Sequence, residues 1–182
     1  MFKEKGFTII EMMVVISLIA AITSFTFISY WSMDYDLSFE RKMGEVSQTI
    51  RKARDYAIAS WYPLHLDTGG DFHGGYGVKF DVDKGDYILF ADFKNEETFT
   101  ENSVEMEKLK LEEGMRVEEI DINGVSVDHL YLVFRSPDLD IFFNGNSAIN
   151  NDLTAVVVFG SDAVSYKREI KINPYGVPTY EK

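Results

Sequence analysis

The 182-residue chain contains no cysteine. Disulfides, dithiol redox chemistry and cysteine-bearing zinc sites are thereby excluded, and any core must hold without a covalent staple. Basic residues are scarce: 18 Lys and Arg stand against 30 Asp and Glu, a net charge of −12. That sign disfavours nonspecific binding to nucleic acid or to anionic lipid surfaces and favours protein partners. The C-terminal stretch 174–182 holds one lysine and one glutamate, so it offers no basic tail for DNA. Proline and glycine are missing from Phe7 through Met43, so nothing there breaks a helix. No internal repeat, low-complexity tract, Ser-His-Asp elbow or phosphate-cradling glycine loop is found.

An uninterrupted apolar run is present instead. Met1-Phe2-Lys3-Glu4-Lys5-Gly6 is a short polar leader, and residues 7–31 are apolar apart from one charge, Glu11. From Met12 to Trp31 there are 20 residues without a charge. At ~1.5 Å per residue a helix of that length covers about 30 Å, the thickness of the hydrocarbon core. Lys3 and Lys5 precede the run, and Asp34, Asp36 and Glu40 follow it, which places the N-terminus in the cytoplasm and the bulk of the chain outside. Tyr30 and Trp31 suit the outer interface. The run is too long for a cleaved secretory signal and has no small-x-small site behind it. Glu11 costs on the order of 2–3 kcal/mol in an apolar helix, so a partner or a role is expected for it.

Lys5-Gly6-Phe7-Thr8-Ile9-Ile10-Glu11-Met12-Met13-Val14-Val15 resembles the processing site of type IV prepilins and of type II secretion pseudopilins. The resemblance implies cleavage between Gly6 and Phe7 by a membrane prepilin peptidase and N-methylation of Phe7. It also implies an assembly salt bridge from Glu11 to the Phe7 amine of an adjacent subunit. Partners so implied are other pilin or pseudopilin subunits, the prepilin peptidase, the inner-membrane assembly platform and the membrane itself, with no catalytic role. Further along, Ala53-Arg54-Asp55-Tyr56-Ala57, Tyr76-Gly77-Val78-Lys79-Phe80, Tyr87-Ile88-Leu89-Phe90-Ala91-Asp92 and Arg168-Glu169-Ile170-Lys171-Ile172-Asn173-Pro174-Tyr175-Gly176 are similar in order to the H-type and FimT-like minor (pseudo)pilins. The competing expectation is a signal-anchored envelope binding protein that keeps its N-terminus and does not polymerise.

Beyond the apolar run, Phe39, Met43, Val46, Ile50, Ala53, Ala57 and Trp61 recur about every 3.7 residues, an amphipathic stripe. Pro63 predicts a stop near Trp61. The pattern then changes to period 2. Strands are expected around 78–82, 87–90, 109–111, 117–122, 130–134, 141–143, 155–159 and 168–172, with turns at Asp83-Lys84-Gly85-Asp86, Glu113-Gly114 and Asn123-Gly124 and loops over 67–75 and 137–152. The fold class is α+β, a long helix packed on an antiparallel β domain. The organisation is a leader at 1–6, a membrane or filament-core helix at 7–31, its amphipathic continuation at 32–61 and an extracytoplasmic β domain at 62–182.

Other constellations read as ordinary turns and loops. Asp67-Thr68-Gly69 has the aspartic-protease tripeptide, but only one copy where that chemistry needs two aspartates. His65, Asp67, Asp71 and His73 lack a zinc-ligand spacing, and His129 stands alone. Asp81, Asp83 and Asp86, and Asp92, Asn95 and Glu96, are acidic enough for calcium but miss the calcium-loop spacing. No cofactor is implied; calcium is the one alternative left open.

Overall fold

The structure, a computed structural model, describes residues 8–59, 74–94, 96–136, 138–161 and 164–181, except the side chains of 26–35, 164–166 and 181. Among the described residues helix α1 (Ile9–Ile58) is followed by eleven strands, and the chain divides into two compact units, 1–41 and 42–182. The α+β expectation holds. Ala59 N–H donates to the Asp55 carbonyl at 2.9 Å and closes the last turn, so the helix ends three residues before the expected Trp61. Trp61, Pro63, the Asp67-Thr68-Gly69 tripeptide and the His65, Asp67, Asp71, His73 cluster lie outside the described residues.

In the second unit the stripe does what its spacing predicts. Met43, Val46, Ile50, Ala53 and Ala57 are all buried, while Arg51 and Asp55 face solvent. The helix touches the strands through Tyr56, whose ring meets that of Tyr76 edge-on at 5.7 Å, and through Lys52, whose Nζ lies 2.7 Å from Glu107 Oε2.

Strands β1 (Gly75–Asp81), β2 (Asp86–Asp92), β3 (Val104–Lys110), β6 (His129–Arg135), β7 (Asp140–Phe143) and β8 (Asn146–Ser147) form one sheet in the order β3-β2-β1-β6-β7-β8. Strands β4 (Met115–Ile122), β5 (Val125–Ser126), β9 (Ala155–Ser161), β10 (Val164–Ile172) and β11 (Pro178–Glu181) form the second, in the order β11-β10-β9-β4-β5. Every pairing is antiparallel, as the short connections imply. Three short strands, β5, β8 and β11, were not expected from the alternation. Two residues are too few to show a period, and Pro178 at the head of β11 reads as a breaker.

One face of the first sheet presents Tyr76, Val78 and Phe80 beside Tyr87, Leu89, Leu130, Leu132 and Phe134, all buried. From the second sheet Val117, Ile120, Val157, Phe159, Ile170 and Ile172 are buried. The two meet where Phe80 and Phe159 pack edge-on at 6.2 Å. A bulge between Val117 and Glu119 shifts β4 against β9 so that Val117 and Ile120, three apart, both turn inward. The β1–β2 turn is stitched to that same strand: Asp83 N–H donates to the Val117 carbonyl at 2.8 Å, and Val117 N–H donates to the Lys84 carbonyl at 3.0 Å.

The opposite face of the first sheet is covered as well. Ile88, Phe90, Val133 and Phe142 are buried there, with Phe99 packed against them. Phe99 belongs to the 93–103 connection, which crosses that face. The Asp92 carboxylate accepts the Lys94 and Glu97 N–H groups at 3.2 and 3.0 Å and fixes the start of the connection. Arg135 secures it from below, with Nη1 2.6 Å from Glu97 Oε1 and Nη2 2.8 Å from Asp140 Oδ2. β2 is therefore buried on both faces. That explains why Tyr87-Ile88-Leu89-Phe90-Ala91 is continuously apolar rather than alternating.

Candidate assembly site on the N-terminal helix

The first described residue, Thr8, stands just outside the helix and caps it. Its Oγ1 accepts the Glu11 N–H at 3.2 Å, and Glu11 Oε2 accepts the Thr8 N–H at 2.8 Å and the Thr8 hydroxyl at 3.0 Å. This is a reciprocal capping box: the side chain before the helix satisfies an orphan N–H three residues on, and the acid there reaches back to the cap. The carboxylate also lies at the positive end of the helix dipole. Thr8-Ile9-Ile10-Glu11 is a visible capping signature, and the sequence reading passed over it.

From Ile9 to Phe25 every described large apolar side chain is more than half exposed. The polar atoms in this stretch are turned inward on the helix itself. Ser17 Oγ donates to the Met13 carbonyl at 2.7 Å, Thr23 Oγ1 to the Ile19 carbonyl at 2.6 Å and Ser24 Oγ to the Ala20 carbonyl at 2.8 Å. Each hydroxyl proton is thus satisfied without solvent, which leaves a surface suited to hydrocarbon or to another helix. Ile10, Met13, Val14 and Leu18 surround Ser17 and form a shallow apolar notch around that small side chain.

Among the described residues no helix is long and apolar enough to cross a membrane. The described apolar side chains run from Ile9 to Phe25, 17 residues, against the roughly 20 that a span needs. The side chains that would complete the expected 7–31 span, and the expected cleavage and methylation residues Gly6 and Phe7, lie outside the description. Glu11 is described, and its described side-chain hydrogen bonds run to Thr8.

Among the described residues the β domain does not gather the remaining candidate ligands. Asp81, Asp83 and Asp86 are drawn apart by three different bases, with Lys79 at 3.2 Å, Arg116 at 3.9 Å and Lys108 at 2.9 Å respectively. The Asp86 carboxylate hydrogen-bonds Lys108 and holds its pKa above the ordinary lysine value. Asp92 is occupied by backbone N–H groups. The Glu96 carboxylate is taken by the Thr100 hydroxyl and by Asn102 Nδ2 at 3.1 Å, while Asn95 is outside the description. Among the described residues no three His, Asp or Glu side chains converge as a metal site. His129 is exposed and stacks on Tyr131 at 4.6 Å.

Residues 1–27 match the family model described as the prokaryotic N-terminal methylation motif. Comparison with curated proteins and with solved structures gives no match. The motif covers the leader, the cap, Glu11 and the exposed apolar turns, and it supports a type IV prepilin-like protein associated with the membrane.

Proposed function

We propose that this chain is a minor pilin or pseudopilin: a structural subunit of a type IV pilus or a type II secretion pseudopilus that acts by assembly and not by catalysis. Before assembly it sits in the cytoplasmic membrane with its N-terminus inside and the β domain outside. Prepilin peptidase removes residues 1–6, Phe7 is methylated, and an inner-membrane assembly platform passes the subunit into an extracytoplasmic filament. There the apolar helices pack together, and Glu11 pairs with the Phe7 amine of a neighbour. The observation that carries this reading is the exposed apolar stretch Ile9–Phe25 of the helix, whose one carboxylate, Glu11, lies in the first turn, within the methylation motif.

Intact-mass spectrometry of the protein from its native membrane tests the reading. The expected chain starts at Phe7 and carries one methyl group on it. A native chain that begins at Met1 and never enters a filament fraction would overturn it and favour a non-polymerising anchored protein. Within the same frame, Glu11→Ala is expected to leave membrane insertion intact and abolish recovery in sheared filaments.

A further inference from the structure

The β domain carries a groove that packing between N-terminal helices leaves unused. Its volume is about 390 Å³, and it opens where β5, the end strand of one sheet, lies near β8, the end strand of the other. Ile122, Val127, Phe143 and Leu153 line it with apolar surface, and Asn146 and Asn151 bring carboxamides to it. Val125 stands at its wall, 63% exposed. None of the lining side chains is ionisable.

Three features define what fits there. The apolar floor suits one aliphatic side chain, because it offers nothing to a charge. The open edge of β5 suits an extended backbone. Ile122 and Val125 close the Asn123-Gly124 hairpin, and Val127 N–H donates to the Ile120 carbonyl at 2.9 Å. The alternation of an antiparallel ladder therefore turns the N–H and C=O of Ser126 away from β4, where an added strand pairs. The surroundings suit positive charge. Segments 117–134 and 136–166, which supply every lining residue, contain no lysine or arginine. Asp128 and Asp152, both exposed, directly adjoin Val127 and Leu153 in the chain. Among the described hydrogen bonds Asn146 and Asn151 use only Nδ2, on the Asn144 and Ser147 carbonyls at 3.4 and 2.8 Å, which leaves two Oδ1 acceptors for incoming N–H groups.

We infer that this groove docks an extended basic segment of another protein, with a leucine-sized side chain on the apolar floor and lysine or arginine on either side of it. Pairing along Ser126 supplies affinity, the floor selects the side chain, and the acidic surroundings draw basic segments and reject acidic ones. The inference does not depend on how the N-terminal helix assembles.

Three end-capped pentapeptides test it on the full chain in detergent micelles: Gly-Lys-Leu-Lys-Gly, Gly-Lys-Ser-Lys-Gly and Gly-Glu-Leu-Glu-Gly. The readout is the protein's backbone amide shifts. The Lys-Leu-Lys peptide is expected to move the Ser126, Val127, Asn146 and Leu153 amides saturably, with a Kd of about a millimolar for so short a ligand. The serine and glutamate peptides should bind about tenfold more weakly or less, and salt at about 0.5 M should weaken the first. Val125→Lys, at a position too exposed to serve the core, should cut its binding about tenfold and leave the rest of the spectrum unchanged. Asn151→Lys, also exposed, should do the same and stands in if the Val125 change disturbs the hairpin. Absence of saturable shifts at these amides, equal binding of the three peptides, or parent-level binding by both lysine variants overturns the inference. Shifts of the same amides with protein concentration alone would make a second copy the occupant, and overturn it too.

Discussion

Replacing Asn144 should unpick the end of the first sheet in graded steps. Asn144 and Gly145, at φ 49° and 80°, form the turn between β7 and β8, in the left-handed conformations that two-residue hairpins demand. The side-chain amide then continues the strand ladder past its last backbone pair. Asn144 N–H donates to the Tyr131 carbonyl at 3.0 Å, Tyr131 N–H donates to Asn144 Oδ1 at 2.7 Å, and Asn144 Nδ2 donates to the His129 carbonyl at 2.9 Å. Asn144→Asp keeps the acceptor and loses the donor, which costs about 1–2 kcal/mol. Asn144→Gly keeps the left-handed backbone and loses both side-chain bonds, for about 2–3 kcal/mol with the added backbone entropy of glycine. Asn144→Ala loses both bonds and is also strained at positive φ, for about 3–4 kcal/mol. Denaturant midpoints should fall in that order. Amide exchange separates the mechanism from a general loosening: the Tyr131 amide should exchange faster in the Gly and Ala variants and stay slow in Asp. A Gly variant with parent stability and a slow Tyr131 amide would refute this account of the turn.

Two further outcomes follow from burial. Tyr76 is fully buried, and burial first, with the nearby Tyr56 second, pushes its pKa up to about 12 from an ordinary 10. The folded value lies above the unfolded one, so this contribution is complete below pH 10 and is lost as pH rises from 10 to 12, an effect of about 2–3 kcal/mol. Denaturant midpoints at pH 9 and pH 11.5 should draw together in Tyr76→Phe, and an unchanged alkaline loss in that variant would assign it to other groups. Gly77→Ala would place a Cβ 2.6 Å from the Leu132 carbonyl oxygen and 2.5 Å from Phe90 Cζ. One of those contacts is backbone in a central strand pair, so the sheet must shift, and a loss of about 1–3 kcal/mol is expected by calorimetry.

Much of the β domain was legible because its strands have a wet face and a dry one. Val78–Val82 and Arg168–Ile172 announce themselves by alternation, and Asn123-Gly124 announces its turn. The 137–152 stretch did not, because its turn chemistry, Asn144-Gly145, lies among so many Asn, Asp and Gly residues that a hairpin and an open loop look alike. The 93–103 cover was hidden for another reason. Its anchor, Phe99, is a single aromatic between polar residues, and its tether is the carboxylate of Asp92, a residue that in sequence looks like any acidic loop position. The clue lay on the neighbouring strand: five consecutive apolar residues in β2 have no dry partner on the second face unless something crosses it.

At the N-terminal helix the sequence marks Glu11 plainly, but not the local contacts that receive it. In sequence a lone carboxylate ahead of a 20-residue apolar run points to a partner or a role. A helix is not uniform at its start. The first-turn N–H groups have no carbonyl to bond, and a threonine three residues ahead of an acid converts that deficit into a local site for negative charge. Glu11 sits there, so the charge by itself does not demand a second subunit. The demand comes from the turns that follow, where apolar side chains stand exposed and the hydroxyls are already satisfied within the helix. Lipid can meet that demand for a single subunit. Under the assembly proposed above, a neighbouring copy cut behind Gly6 would bring an apolar surface and an amine to that end of the helix together.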